Sequence, residues 1–282
     1  MLGGITNTYS RGGVTFTARA HWYAPHRWTI VGVSTPTLPA SVTVYVAKRG
    51  SHGYWCNAPP TELPGYFGYS DAPALMPLIV GPATQLAIAE FDRSKSVALH
   101  IRDGSVETTT TIVGDDNERV IDELVAIHRA LDTDYLALLQ TWQSIAERLG
   151  GSASAAWPPQ LTVPGAHGPT TIALRWTDSM AIGSEALIEL SAHANGAPLW
   201  QLKREPTPTP NCIIFADRPF LVTGDIPFPI DELAQLVART EILSIVVRRY
   251  ITVRIARRTP DAGELEALLD LIAALCNAAP YR

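Results

Sequence analysis

The chain has 282 residues, 46% of them hydrophobic and 17% charged, with a formal net charge of −5. That length accommodates two domains that each bury a core, and the composition excludes a disordered chain. The acidic balance excludes a broad nucleic-acid footprint, which needs clustered Lys and Arg.

The opening segment, 1–13, has no basic stretch followed by a long apolar run, so it does not read as a signal peptide. Strands are predicted at Val14–Ala20, Trp28–Val31 and Ser41–Ala47, rich in β-branched and aromatic residues and separated by Pro and Gly. A short strand at Tyr66–Tyr69 leads to Asp71 and the apolar segment Ala74–Phe91. Pro77, Gly81 and Pro82 interrupt that segment, so a buried crossover is expected and not a membrane span. Val97, Leu99 and Ile101 then alternate with polar or small residues, Asp103-Gly104 supplies a hairpin turn, and a threonine-rich strand returns. Asp115-Asp116 reads as the cap of a helix with Val120, Leu124, Ile127 and Leu131 on its core face. A separate helix is predicted over Tyr135–Leu149, and Gly150-Gly151-Ser-Ala-Ser as a linker.

The same grammar follows a second time. Strands are expected at Thr171–Trp176, Ala186–Ser191, Leu199–Lys203 and Asn211–Ala216, and Asp225 parallels Asp71 as a helix cap. A helix over Pro229–Arg239 precedes a hairpin of Leu243, Ile245, Val247 and Ile251, Val253, Ile255. Thr259 is the expected cap, with Pro260 at the first position, of a last helix carrying Leu265, Leu268, Leu269, Ile272 and Leu275. Leu124 and Leu269 lie 145 residues apart, as do Ile127 and Ile272 and also Trp55 and Trp200. A shared offset across separate elements argues duplication. The expected fold class is therefore α+β: two tandem copies of an antiparallel meander–helix–hairpin–helix domain, over 1–150 and 151–282, packed as a pseudo-dimer.

Two resemblances accompany these residues. FLVTGDIP, followed by a helix, a hairpin and PDAGELEALLDLIAAL, looks like a repeated C-terminal pattern of uncharacterised bacterial proteins. The order of elements is similar to that of type III secretion chaperones and YbjN-like domains. That likeness implies a surface that binds another protein chain and implies no catalysis.

Candidate chemistry is sparse. His21, His26, His52 and Cys56 are residue types that bind zinc, but their spacing matches no closed site, so no metal and no cofactor is expected. No nucleophile elbow, P-loop or dinucleotide fingerprint occurs, and no catalytic residue is assigned. Cys56, Cys212 and Cys276 are odd in number and widely spaced, which suits reduced thiols in a cytoplasmic protein. One charged feature stands out: Arg248, Arg249, Arg254, Arg257 and Arg258 cluster in the second hairpin, where a patch could hold an acidic segment or a phosphate. The first hairpin has Glu107 and threonines instead. The expectation is a non-enzymatic interaction or chaperone-like module, monomeric or homodimeric, whose partner is another protein and neither nucleic acid nor membrane. The alternative is an enzyme or small-ligand protein with a pocket between the copies near Trp22, Trp28, His52 and Trp55.

Overall fold

A computed structural model of the chain describes residues 6–11, 13–23, 26–34, 44–48, 61–63, 66–70, 73–91, 96–102, 105–111, 117–154, 157–179, 183–194, 199–226 and 229–277. It is a mixed α+β protein with two compact units, Met1–Leu138 and Leu139–Arg282.

The first unit holds β1 (Thr6–Arg11), β2 (Val14–Tyr23), β3 (His26–Ser34), β4 (Val44–Lys48), β5 (Thr61–Leu63) and β6 (Tyr66–Ser70). A 3-10 turn at Pro73–Leu75 and the helices α1 (Met76–Ile79) and α2 (Pro82–Glu90) follow, then the hairpin β7 (Ser96–Arg102) and β8 (Ser105–Thr111). The long helix α3 runs from Asn117 to Arg148. All pairings are antiparallel, in the order β1-β2-β3-β8-β7-β4-β6-β5. The apolar segment that suggested a crossover is one, with Ala74, Leu75, Met76, Ile79, Val80 and Ile88 buried.

The second unit holds β9 (Ser152–Ser154), β10 (Gln160–Val163), β11 (Thr170–Ser179), β12 (Gly183–His193), β13 (Trp200–Arg204), β14 (Cys212–Phe215) and β15 (Arg218–Thr223). Then come α4 (Ile230–Arg239), the hairpin β16 (Ile242–Val247) and β17 (Tyr250–Ile255), and α5 (Ala262–Asn277). Its sheet, read from one edge, runs β9-β10-β11-β12-β17-β16-β13-β15-β14. Apart from β9, this order matches that of the first sheet strand for strand.

These orders correct the expected meander. In each unit the hairpin inserts between the second and third of the expected strands, so β4 pairs with β7 and β13 with β16. Hairpin strands are the most apolar in the second unit, with Ile242, Ile245, Val247, Ile251, Val253 and Ile255 all fully buried or nearly so. A strand flanked on both sides and covered by a helix loses the most water, so the most apolar pair takes the centre.

The hairpins share an irregularity. Pairing slips between Ser96↔Thr110 and Leu99↔Thr108 in the first, and between Ile242↔Ile255 and Ser244↔Arg254 in the second, ahead of Ile245↔Val253. Each slip leaves one extra residue on the leading strand, a β-bulge at the same place in both. The upstream tryptophan match does not hold in the same way. Trp200 opens β13, whose counterpart by strand order, β4, opens at Val44, and Trp55 lies outside the described residues. The offset drifts because connections absorb insertions cheaply.

Two further expectations change. Tyr135–Leu149 is no separate helix but the continuation of α3, since no Gly or Pro between Asn117 and Arg148 breaks it. The supposed linker is a helix stop followed by an edge strand. Gly150, at φ +67°, donates its N–H to the Glu147 carbonyl at 3.1 Å, and the Gly151 N–H reaches the Ala146 carbonyl at 2.8 Å. That pair of bonds is a Schellman motif. β9 then pairs with β10.

Candidate functional site

The second hairpin is where the sequence concentrates positive charge. Its inward residues, Ile245, Val247, Ile251 and Val253, are buried, so period-two alternation sends Ser244, Val246, Thr252 and Arg254 to the opposite face. Arg254 lies in register with Glu189 on β12, and its Nε donates to Glu189 Oε2 at 2.8 Å. Glu189 Oε1 also meets Arg175 Nε at 3.6 Å, so one carboxylate serves two guanidinium groups. All three are solvent-accessible, so each pair adds about 0.2–1 kcal/mol.

Arg257 is committed differently. Its Nε donates to Glu264 Oε2 at 2.9 Å, and the Glu264 side chain is only 4% exposed. Glu264 Oε1 accepts the Glu241 N–H at 2.9 Å, while the Glu264 N–H donates to Asp261 Oδ1 at 2.8 Å. Asp261 is therefore the cap of α5, where Thr259 was expected, and the buried glutamate ties the helix start to the entry of β16. Sequence inspection did not single out Glu264; its only sign was its place three residues after a capping Asp. Arg218, also unanticipated, donates to the carbonyls of Val237 at 2.7 Å and Thr240 at 3.1 Å and to Glu241 Oε2 at 3.2 Å. It satisfies the last carbonyls of α4 with a cation at the negative end of the helix.

The five arginines thus do not form one patch. Arg248 and Arg249 lie at the β16–β17 turn, Arg254 on the strand, and Arg257 and Arg258 beyond its far end. The six residues of β17 separate the two ends by roughly 20 Å. Arg258 is exposed and has no carboxylate beside it among the described residues.

At the turn, the Arg249 guanidinium carbon lies 5.8 Å from the Tyr250 ring centroid, and Tyr250 packs edge-on against His193 at 5.3 Å. The Arg249 carbonyl accepts the Ala194 N–H at 3.1 Å. On the buried face of this sheet, the second unit has a cavity of about 210 Å³ between the β10–β11 turn and α5. Val163, Ala192, Leu269, Ile272 and Ala273 supply apolar lining, with Thr170, His167 and Asp270 as polar groups. Drug-sized ligands occupy roughly 300–1,000 Å³, so this space suits a single side chain better. His167 Nε2 and Asn277 Oδ1 meet at 2.7 Å. Cys276 also lines the cavity; its thiol donates to the His193 carbonyl at 3.6 Å, and burial pushes its pKa up.

In the first unit the acidic residue that matters is Asp134 on α3. Its Oδ2 accepts the Thr84 N–H at 2.8 Å and the Thr84 hydroxyl at 2.6 Å, and Oδ1 accepts the Ala83 N–H at 3.2 Å. α2 is therefore capped by a distant residue. Gly81, its own N-cap, has no side chain and no room for one, since an added Cβ would lie 2.6 Å from Asp134 Cγ.

The expected local caps fare otherwise. Asp225 is exposed and lies ahead of Pro229, the actual N-cap of α4, which makes no side-chain bond. Asp71, Asp115 and Asp116 lie outside the described residues, as do His52, Trp55 and Cys56. His21, Trp22, His26 and Trp28 fall on β2 and β3, but their side chains are not described. No group of three or more His, Cys, Asp or Glu among the described residues could hold a metal ion. No described helix is long and apolar enough to cross a membrane.

No protein-family model matches the sequence, and no curated protein matches it. Among solved structures the chain is similar to the mycobacterial trehalose monomycolate transport factor A, TtfA, at 8% identity and a TM-score of 0.36. The likeness covers 45% of this chain and 68% of that one, and is too slight to carry an argument.

Proposed function

We propose that the chain is a duplicated α+β domain, an internal pseudo-dimer, that works as a cytoplasmic protein-interaction module and not as an enzyme. The matching strand orders support the duplication, and the β-bulges, between Ser96 and Leu99 in one hairpin and between Ile242 and Ser244 in the other, support it more sharply. Bulges are conserved within families, so one at corresponding places in both hairpins fits a shared origin. The likeness to type III secretion chaperones and YbjN-like domains belongs to this proposal, although the inserted hairpin departs from a simple meander.

The observation that carries the functional half is how the charged groups are used. Asp134, Arg218, Glu264 and Arg257 each hold elements of their own unit together. Catalytic groups need a substrate-facing position within reach of one another. What the second unit turns outward instead is Leu199, 72% exposed, Ile214 and Tyr250, with Arg248 and Arg249, the chemistry of a protein-binding surface. Affinity capture with the full chain from its native cells, followed by cross-linking, tests the reading. A stoichiometric partner cross-linked to the second unit is expected. Turnover of a hydrolase or transferase substrate panel by the purified chain, with no partner captured, would overturn it.

A further inference from the structure

We infer that the cavity between α5 and the inner face of the second sheet receives a lysine side chain of a partner protein. The lysine stem packs against the apolar wall, its ammonium donates to the Thr170 hydroxyl inside, and Asp270 at the rim supplies the opposite charge. The inference rests on the interaction-module reading and names the residue type by which that module holds its partner.

The cavity exists because small side chains meet where large ones would fit. One row into the sheet, Leu161, Ile172 and Leu190 stand side by side on β10, β11 and β12, and each is fully buried. In the next row of the same face the residues are Val163, Thr170 and Ala192, and α5 sets Ala273 against them. The shorter side chains leave about 210 Å³ unfilled in an interior that is otherwise close-packed. A cavity of about 150 Å³ holds a benzene-sized group, so the stem and head of a lysine fit here.

Two polar groups of the wall have no partner of their own. Thr170 is 4% exposed and lies on the inner face with Ile172 and Leu174, and its hydroxyl makes no hydrogen bond among the described residues. A buried hydroxyl left so is destabilising, and a donor from outside removes that cost. Asp270 is exposed, and no cation pairs with it among the described residues. The negative end of α4 is met by Arg218, but α5 has no basic residue in its last turn, where Ala273 and Cys276 face the cavity. A free acceptor, a free carboxylate and a helix C-terminus together favour a cation, on a chain whose net charge of −5 draws basic partners. An alkyl group alone would leave Thr170 unmet, and an anion would face Asp270. A guanidinium brings five N–H donors and an ammonium three, so the ammonium suits a wall with few acceptors better.

The test first titrates the full chain with n-butylammonium, which reproduces the lysine side chain, and follows amide chemical shifts by nuclear magnetic resonance. Saturable shifts are expected at Thr170, Ala192, Ala273 and Cys276. n-Butanol should bind about threefold more weakly and butyrate about tenfold. Asp270→Asn should weaken n-butylammonium about threefold and leave n-butanol unchanged, and Thr170→Val should weaken n-butylammonium by about as much. Ala273→Leu, which fills the cavity from an exposed helix position, should abolish binding. Dispersed amide spectra of each variant confirm the fold. Random displayed peptides selected on the full chain should then share a lysine and be displaced by n-butylammonium. Replacing that lysine by norleucine should cost about tenfold or more in affinity. n-Butanol or butyrate binding as tightly as n-butylammonium, indifference to Asp270→Asn and Ala273→Leu, or peptides that keep their affinity with norleucine would overturn the inference. Binding of n-butylammonium with no lysine peptide enriched would overturn it too, since the site then serves a free amine. In each of these cases a partner captured from cells and cross-linked to the second unit leaves the interaction-module reading standing. If capture also returns nothing, both fall.

Discussion

The capping of α2 by Asp134 can be taken apart with two substitutions and their combination. Asp134→Ala removes three hydrogen bonds and leaves Thr84, which is 0% exposed, with an unsatisfied N–H and hydroxyl. A buried polar group stripped of its partner costs about 1–3 kcal/mol, and loss of an ordinary N-cap about 0.5–2, so a total of roughly 2–4 kcal/mol is expected. Gly81→Ala attacks the same bonds from the other side. Its Cβ would lie 2.6 Å from Asp134 Cγ and 2.7 Å from Oδ1, and the carboxylate must leave its position to make room. Because the two substitutions break one set of interactions, the double variant should cost little more than the worse single one. The expected coupling is about 1–3 kcal/mol. Native-state hydrogen exchange at the Ala83, Thr84 and Gln85 amides is the suitable assay, since a chain of two units need not unfold in a single step. Additive losses in the double variant, or unchanged protection in Asp134→Ala, would refute the reasoning.

Other substitutions probe the second unit. Arg218→Met keeps the apolar stem but strands the Val237 and Thr240 carbonyls, and should raise exchange in the last turn of α4 by about 2 kcal/mol of local stability. Leu268→Ala empties a fully buried position on α5 and should lower unfolding stability by about 2–5 kcal/mol in urea titration. Cys276 should react with a water-soluble thiol reagent about tenfold or more slowly than Cys212 at mildly alkaline pH, because burial disfavours its thiolate. A Cys276→Ser variant that leaves the fast phase intact would confirm the assignment. The sign follows from the raised pKa: the fold favours the neutral thiol, so this contribution is complete below the ordinary thiol range and is lost as pH rises through it.

Much of the local structure was legible because it depends on neighbours in sequence. Alternation in Leu99 and Ile101, and in Ile245 and Val247, marked the hairpins, and the Leu265–Leu275 stripe marked α5. Failures came where a local signal had a more distant competitor. Asp225 looks like a cap but precedes a helix that starts too late to use it, while α2 is capped from α3, 50 residues downstream of Thr84. Gly150-Gly151 looks like a linker, yet the same conformational freedom that suits a linker also allows the positive φ of a helix stop. The five arginines fall within eleven residues, but a strand spreads its residues along its length, so closeness in sequence did not make a patch.

From the residues alone, then, came the central strands and hairpins, the repeated grammar and the apolar face of the helices, since periodicity is a property of the chain itself; the outer strands β1, β5, β9 and β10 and the unbroken length of α3 did not. Strand partners, the insertion of each hairpin into its sheet, and the engagement of Arg254 by Glu189 and of Arg257 by Glu264 were decided only in three dimensions. Pairing across a sheet joins residues far apart in sequence, and no periodic pattern encodes which edge a strand will meet.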